Sequence, residues 1–159
     1  MIHGLHHCAI ATRDIDRLCR FYCELFGFEK VAEGSWADLP ALDVVIGLPN
    51  TASRFAMLSA GNALLELFEF SSPKPGNGDP ERRACDPGFT HLCMNVTDID
   101  SEYERLRAAG MRFHARPWHS AALCFTYGRD PDGNIVELLE VPDEKSPYRL
   151  QRIQNARMR

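Results

Sequence analysis

The sequence predicts an α+β protein made of two tandem βαβββ modules that together form a cleft-shaped, partly open mixed sheet. Three observations predict it. A histidine opens an apolar strand that runs into Asp-Ile-Asp and a helical pattern twice, over residues 7–16 and again over 91–100. A glutamate sits inside an apolar strand twice, in Leu65-Glu66-Leu67-Phe68-Glu69 and in Val136-Glu137-Leu138-Leu139-Glu140. Between the two copies, residues 71–88 hold 4 prolines and 3 glycines, a composition that excludes regular structure. The expected organisation is therefore a first module over 1–70, a linker over 71–88, a second module over 89–141 and a basic tail over 142–159. Neither half can bury both faces of its sheet alone, and a pair of copies leaves a cleft where a ligand can sit.

Each element follows from local pattern. Residues 5–13 alternate, with His7, Ala9 and Ala11 on one face and Cys8, Ile10 and Thr12 on the other. Asp14 is a good N-cap, and Ile15, Leu18, Cys19, Tyr22, Leu25 and Phe26 follow at helical spacing until Gly27. A strand is expected over 28–36, an irregular stretch with room for a short helix over 37–51, and a hairpin of 54–58 and 63–70 about the Gly61-Asn62 turn. The second module repeats the order: strand 89–97, helix 98–109 ended by Gly110, and strands near 111–117 and 122–128. The turn Asp130-Pro131-Asp132-Gly133 then leads into a strand over 134–141.

Composition narrows the function classes. Hydrophobic residues make up 45% and charged residues 25% of the 159, the profile of a soluble globular chain. A net charge of −4 argues against nucleic acid as a partner, and the basic residues of the tail read as a solvated or partner-packed extension. No apolar run is long enough to span a membrane, and the N-terminus lacks the pattern of a signal peptide. The 6 cysteines form no CxxC pair, and Cys8, Cys93 and Cys124 fall in apolar strands, where a reduced thiol is expected. The expected compartment is the cytoplasm.

The chemistry concentrates in four residues. A lone carboxylate inside a strand as apolar as those around Glu66 and Glu137 is costly unless it is paired or binds a metal. Glu69 and Glu140, three residues on, point to the opposite face and are expected to meet water. His7 and His91 occupy matching places on the face turned away from each helix. One His and one Glu per copy supply four metal ligands: His7, Glu66, His91 and Glu137. Two imidazoles and two carboxylates suit one divalent ion such as Ni, Co, Mn, Fe or Zn, with two positions open to water or substrate.

These motifs resemble the vicinal oxygen chelate superfamily, which includes glyoxalase I, methylmalonyl-CoA epimerase, extradiol dioxygenases and the fosfomycin and bleomycin resistance proteins. The resemblance rests on His7, Ile10 and Asp14, on Phe21-Tyr22 and Leu25-Phe26-Gly27-Phe28, on residues 91–98, and on the run from Asp130 to Glu137, covering residues 5–141. It implies the glyoxalase-like fold, the same four ligands, a small-molecule substrate and a homodimer, with the halves pairing either within a chain or across the dimer. It also implies proton abstraction alpha to a metal-bound carbonyl, the lyase or isomerase chemistry of glyoxalase I, with Glu66 or Glu137 able to act as the base. An epimerase is an alternative, weakened because Arg54 stands where that branch has an extra carboxylate; Arg54 would suit a substrate carboxylate instead. An extradiol dioxygenase using Fe(II) is another, since His119, Tyr127, Asp130-Pro131, Gly133 and Glu137 fit its signature, although Thr126 replaces an aliphatic residue. His119 and Tyr127 are accordingly candidate catalytic residues. A drug-binding resistance protein is less consistent with four occupied ligand positions.

Overall fold

The computed structural model describes residues 1–150, so the end of the basic tail, 151–159, lies outside the described residues. The chain divides into two compact units, Met1–Gly78 and Asp79–Arg159. In the first, the order is β1 (His7–Ala11), α1 (Ile15–Arg20), β2 (Glu29–Trp36), α2 (Pro40–Ile46), β3 (Ala52–Ser59) and β4 (Leu64–Ser72). In the second it is β5 (His91–Asn95), α3 (Ile99–Ala108), β6 (Arg112–Phe113), β7 (Trp118–His119), β8 (Cys124–Arg129) and β9 (Ile135–Glu140). The sheets are open and mixed, with orders β1-β4-β3-β2 and β5-β9-β8-β6, and β7 also pairs with β8. In each, the first strand runs parallel to the last and the remaining pairs are antiparallel. This is the α+β architecture the repeat predicts, once per unit.

One face of each sheet packs on its helix. In the first unit Ile15, Leu18 and Tyr22 are buried with Leu58, Leu65 and Leu67; in the second Ile99, Tyr103 and Leu106 are buried with Val136 and Leu138. The alternation of β4 and β9 dictates this, because every second residue must share the helix face. Residues 65, 67 and 69 therefore lie opposite to 66, 68 and 70, and 136, 138 and 140 opposite to 135, 137 and 139.

The helix face also explains Glu69 and Glu140, which do not simply meet water. Glu69 accepts a hydrogen bond from the Ile15 N–H (3.3 Å), and Glu140 accepts from the N–H groups of Asp98 and Ile99 (both 3.1 Å). Asp14 and Asp98 cap the same helices from within the chain, accepting from Arg17 and Ser101. Each helix thus begins under two carboxylates, which satisfy orphan N–H groups and oppose the positive end of the helix dipole.

Three local departures from the sequence reading have visible causes. The first helix gives way after Arg20 to a wider π-helical turn over Phe21–Leu25, beyond which Tyr22 stacks with Phe28 (ring centroids 5.6 Å apart). The expected strand over 111–117 shrinks to the 2 residues of β6, because Pro117 offers no N–H and the Ala115 carbonyl accepts from the buried Thr126 hydroxyl (2.7 Å). The linker, though irregular, is tied down at both ends. Arg13 donates to the Gly76 carbonyl (2.7 Å), whereas Arg129 donates to the carbonyls of Pro80, Arg82 and Gly133. Gly133, at φ +90°, lies where a Cβ would come within 2.2 Å of the Pro80 carbonyl oxygen, so glycine is required there.

Candidate metal centre

The face away from each helix carries the candidate ligands. In the first unit the parallel register sets His7 beside Leu64 and Ala9 beside Glu66. His7 Nε2 lies 3.2 Å from Glu66 Oε2, with the side chains 37% and 17% exposed. In the second unit His91 is beside Ile135 and Cys93 beside Glu137, and His91 Nε2 lies 3.0 Å from Glu137 Oε2, at 30% and 12% exposure. The two pairs are built alike: a histidine at the start of the first strand reaches one register step along the neighbouring strand to a glutamate.

The other nitrogen of each ring is engaged. His91 Nδ1 is 2.9 Å from the Thr90 hydroxyl, and His7 Nδ1 is 2.8 Å from His6 Nδ1. Such contacts orient an imidazole so that Nε2 is presented to its partner. An imidazole nitrogen beside a largely buried carboxylate is a donor set that fits a borderline divalent ion. Each unit by itself supplies two donors, and among the described residues no group of three or more His, Cys, Asp or Glu side chains is placed to hold a metal.

Aromatic residues flank both pairs. On the Glu66 face Trp36 meets Phe68 and Phe70 at 5.7 and 5.9 Å between ring centroids. On the Glu137 face Tyr127 meets His91 (5.5 Å) and Phe125 (5.8 Å), and Phe125 meets Trp118 (5.3 Å). Tyr127 stands directly opposite Glu137 in the β8–β9 register. Burial first, and then the Glu137 charge, hold the Tyr127 phenol above its ordinary pKa. Cys93, on the other side of Glu137, is exposed as a residue, yet burial around its sulfur and the Glu137 carboxylate push the thiol up to about 12.

Two expected site residues lie on the helix face instead. Arg54 is opposite Glu69 in the register, and its guanidinium meets Asp16 (2.9 and 3.0 Å) and Glu69 (3.2 Å); the side-chain hydrogen bond from Arg54 holds the Asp16 carboxyl below its usual range. The even spacing that puts Glu69 on that face puts Arg54 there too, away from Glu66. His119 pairs with Cys124, whose side chain is buried, and its Nε2 lies 3.3 Å from Asp100 of α3. It is therefore not on the face of Glu137. The Asp130-Pro131-Asp132-Gly133 motif is a self-bonded turn, with the buried Asp130 accepting from the backbone of Asp132 and Asn134 (both 2.9 Å) and from the Asn134 side chain (2.8 Å). Cys93 was missed as a site residue, although its place between His91 and Asn95 in an alternating strand puts it on the histidine's face.

Comparison with known proteins identifies the family and agrees with the fold. The sequence matches the Glyoxalase/Bleomycin resistance protein/Dioxygenase superfamily over residues 4–138. It is 32% identical to a 2-epi-5-epi-valiolone epimerase of Actinomyces sp over 152 residues, covering 87% of this chain and 80% of that protein. It is 24% identical to a lactoylglutathione lyase of Schizosaccharomyces pombe over 153 residues, covering 90% of this chain but 49% of the relative, so it spans about half that protein's length. Among solved structures, a glyoxalase family protein from Bacillus cereus superposes with a TM-score of 0.81 at 19% identity, over 90% of this chain and 97% of that one. Matched by the family model over residues 4–138, this chain belongs to the glyoxalase, bleomycin resistance protein and dioxygenase superfamily.

Proposed function

We propose that the chain is a metal-dependent lyase or isomerase acting on a small carbonyl compound by moving a proton on the carbon next to the carbonyl. The observation that carries this reading is the duplicated His–Glu pair, His7–Glu66 at 3.2 Å and His91–Glu137 at 3.0 Å. The four residues together would hold one divalent ion, of Ni, Co, Mn, Fe or Zn. When bound, that ion polarises the substrate carbonyl and makes the adjacent C–H acidic. Glu66 or Glu137 accepts that proton and returns it to a neighbouring position. The aromatic side chains around both pairs exclude water and bind the apolar part of the substrate. His119 and Arg54 have no part in this scheme, because their strands turn them to the helices.

A homodimer belongs to the proposal. Val31, Leu39, Val44, Val45, Phe89 and Trp118 are large apolar residues with roughly half or more of their surface exposed, and a partner would cover such surface. Among the described residues no helix is long and apolar enough to cross a membrane. Light scattering should give a mass near twice 18.0 kDa.

The relative from Actinomyces, an epimerase, favours a second form of the same chemistry, in which the proton returns to the same carbon from the other side. Two assays separate the forms. Protein loaded with each metal is given the methylglyoxal–glutathione adduct or 2-epi-5-epi-valiolone in deuterated solvent without oxygen. Deuterium uptake with isomerisation supports proton transfer. No uptake on either, with oxygen-dependent turnover of catechols on Fe(II), overturns it.

A further inference from the structure

A cavity of about 670 Å³ opens within the second unit, between the end of α3, the edge strand β6 and the linker at Glu81. None of the four metal-ligand candidates lines it, and its size falls in the range of small-molecule sites. Its floor is apolar. Tyr103 and Met111 are buried, and the half-buried Phe113 ring lies 4.8 Å from the Tyr103 ring between centroids. Gly128 sets that floor, since a Cβ there would come within 2.6 Å of Met111 and 3.0 Å of Phe113.

The wall is cationic. Arg107, Arg112 and Arg129 line it, and among the described lining residues Glu81 is the one carboxylate. Arg112 stands opposite Arg129 across β6 and β8, a like-charge pair that is unfavourable unless an anion lies near. Arg129 is 9% exposed, and its hydrogen bonds to Pro80, Arg82 and Gly133 all end on neutral carbonyls. Its Nε lies 3.9 Å from the Glu81 carboxylate, which Arg112 reaches at 3.4 and 3.5 Å. Glu81 and Arg112 are each 67% exposed, so these long contacts are screened and weak. The end of α3 does not oppose an anion strongly, because the Leu106 carbonyl accepts from the Met111 N–H (3.0 Å) and that of Arg107 from Gly110 (3.1 Å). Arg107 itself is held by Glu104 (2.7 Å).

We propose that this cavity binds a small organic anion, its carboxylate or phosphate between Arg112 and Arg129 and its flat apolar body against Phe113. Glu81 loosely occupies the place of that anionic group and swings out as the ligand enters. Arg129 supplies a guanidinium fixed by the carbonyls around it, and Arg112 closes on the anion from the exposed edge. The site is separate from the metal centre and does not rest on the reaction proposed there.

The test uses the full chain stripped of metal, so that no probe can bind through an ion. Isothermal titration with phenyl phosphate and phenylacetate reads affinity, and a proton–nitrogen correlation spectrum locates the contact. Inorganic phosphate lacks the apolar body and benzyl alcohol lacks the charge, so each should bind at least about tenfold more weakly. Arg112→Ala should weaken both organic anions about tenfold or more, as loss of a charge-assisted hydrogen bond requires. Glu81→Ala should tighten them about threefold or more, because the competing carboxylate is gone. A purely structural role for Glu81 would give no such gain. Both substitutions are at exposed positions, and circular dichroism verifies the fold. Amide shifts should gather at residues 81, 103–114 and 128–129, and the tighter of the two organic anions identifies the anionic group. The proposal is overturned by any one of three results: no binding of either organic anion at millimolar concentration, equal affinity in wild type and both variants, or inorganic phosphate bound as tightly as the organic anions.

Discussion

The first and second units solve the same structural problem with the same residues and then diverge around the glutamate. Both place a histidine at the head of the first strand, both bring a glutamate beside it from the last strand, and both cap the helix with an Asp before it and a Glu from that strand. The difference begins beside the glutamates, where the first unit has Ala9 and Met57 and the second has Cys93 and Tyr127. What duplicates is what folding and ligation both need. What differs is the setting of the carboxylate: Ala9 and Met57 flank Glu66, whereas Cys93 and Tyr127 flank Glu137.

The comparison can be broken at its strongest points first. Removing a donor, by Glu66→Ala or Glu137→Ala, should weaken divalent-metal binding by more than about 100-fold, beyond the loss expected from any neighbour of a ligand. Isothermal titration of both variants measures it. An affinity within threefold of wild type in either would separate that glutamate from the metal.

The shared core gives the next largest effect. Leu67 and Leu138 are both fully buried beneath their helices, and Leu67→Ala and Leu138→Ala should each destabilise by about 2–5 kcal/mol in urea unfolding. If the halves are true counterparts, the two costs should be similar. The capping carboxylates should cost less and unequally. Glu140 accepts two backbone N–H bonds and Glu69 one, so Glu140→Ala should cost about 1–2 kcal/mol and Glu69→Ala less, by the same measurement.

The smallest effect is on thiol chemistry in the metal-free chain. Cys93 is raised from 9.0 to about 12, so the neutral thiol is the favoured form in the folded chain. The stability this contributes is intact below the ordinary thiol pKa of 9.0 and is lost as pH rises toward 12. Both cysteines are exposed as residues, and iodoacetamide near pH 8 should therefore label Cys85 well before Cys93 because of the raised thiol, as read by peptide mass spectrometry. Glu137→Gln should speed labelling at Cys93, because the carboxylate that opposes its ionisation is gone. Equal rates at Cys85 and Cys93 in the wild-type chain would contradict the surroundings assigned to Glu137.

Much of this was legible in the sequence because repetition and period-two alternation are local signals. They placed His7 with Glu66 and His91 with Glu137 on the faces away from the helices, and the Gly61-Asn62 turn announced its hairpin. What escaped depends on contacts between elements. The destination of Glu69 and Glu140 is a helix N-terminus supplied by another element, so alternation gave their face but not their partner. Arg54 and His119 look like site residues when only type and motif are read, yet cross-strand register commits Arg54 to Asp16 and Glu69, and His119 to Asp100. The role of Arg129 in joining the linker to the 130–133 turn needed the carbonyls of Pro80 and Arg82 together with that of Gly133, which no local pattern announces. Cys93 was readable as a residue on the histidine's face, but its place beside Glu137 came from the pairing of β5 with β9.

The central proposal is that His7, Glu66, His91 and Glu137 are ligands of a divalent ion. Elemental analysis of chain purified without chelator, for wild type and for the alanine variants at positions 7, 66, 91 and 137, tests it most directly. The account predicts about one ion per chain in the wild type, as a four-donor site requires, and a large loss in each of the four variants, from either half alike. Undiminished metal content in the His7→Ala and Glu66→Ala chains, or in the His91→Ala and Glu137→Ala chains, would show that one pair takes no part and would contradict it.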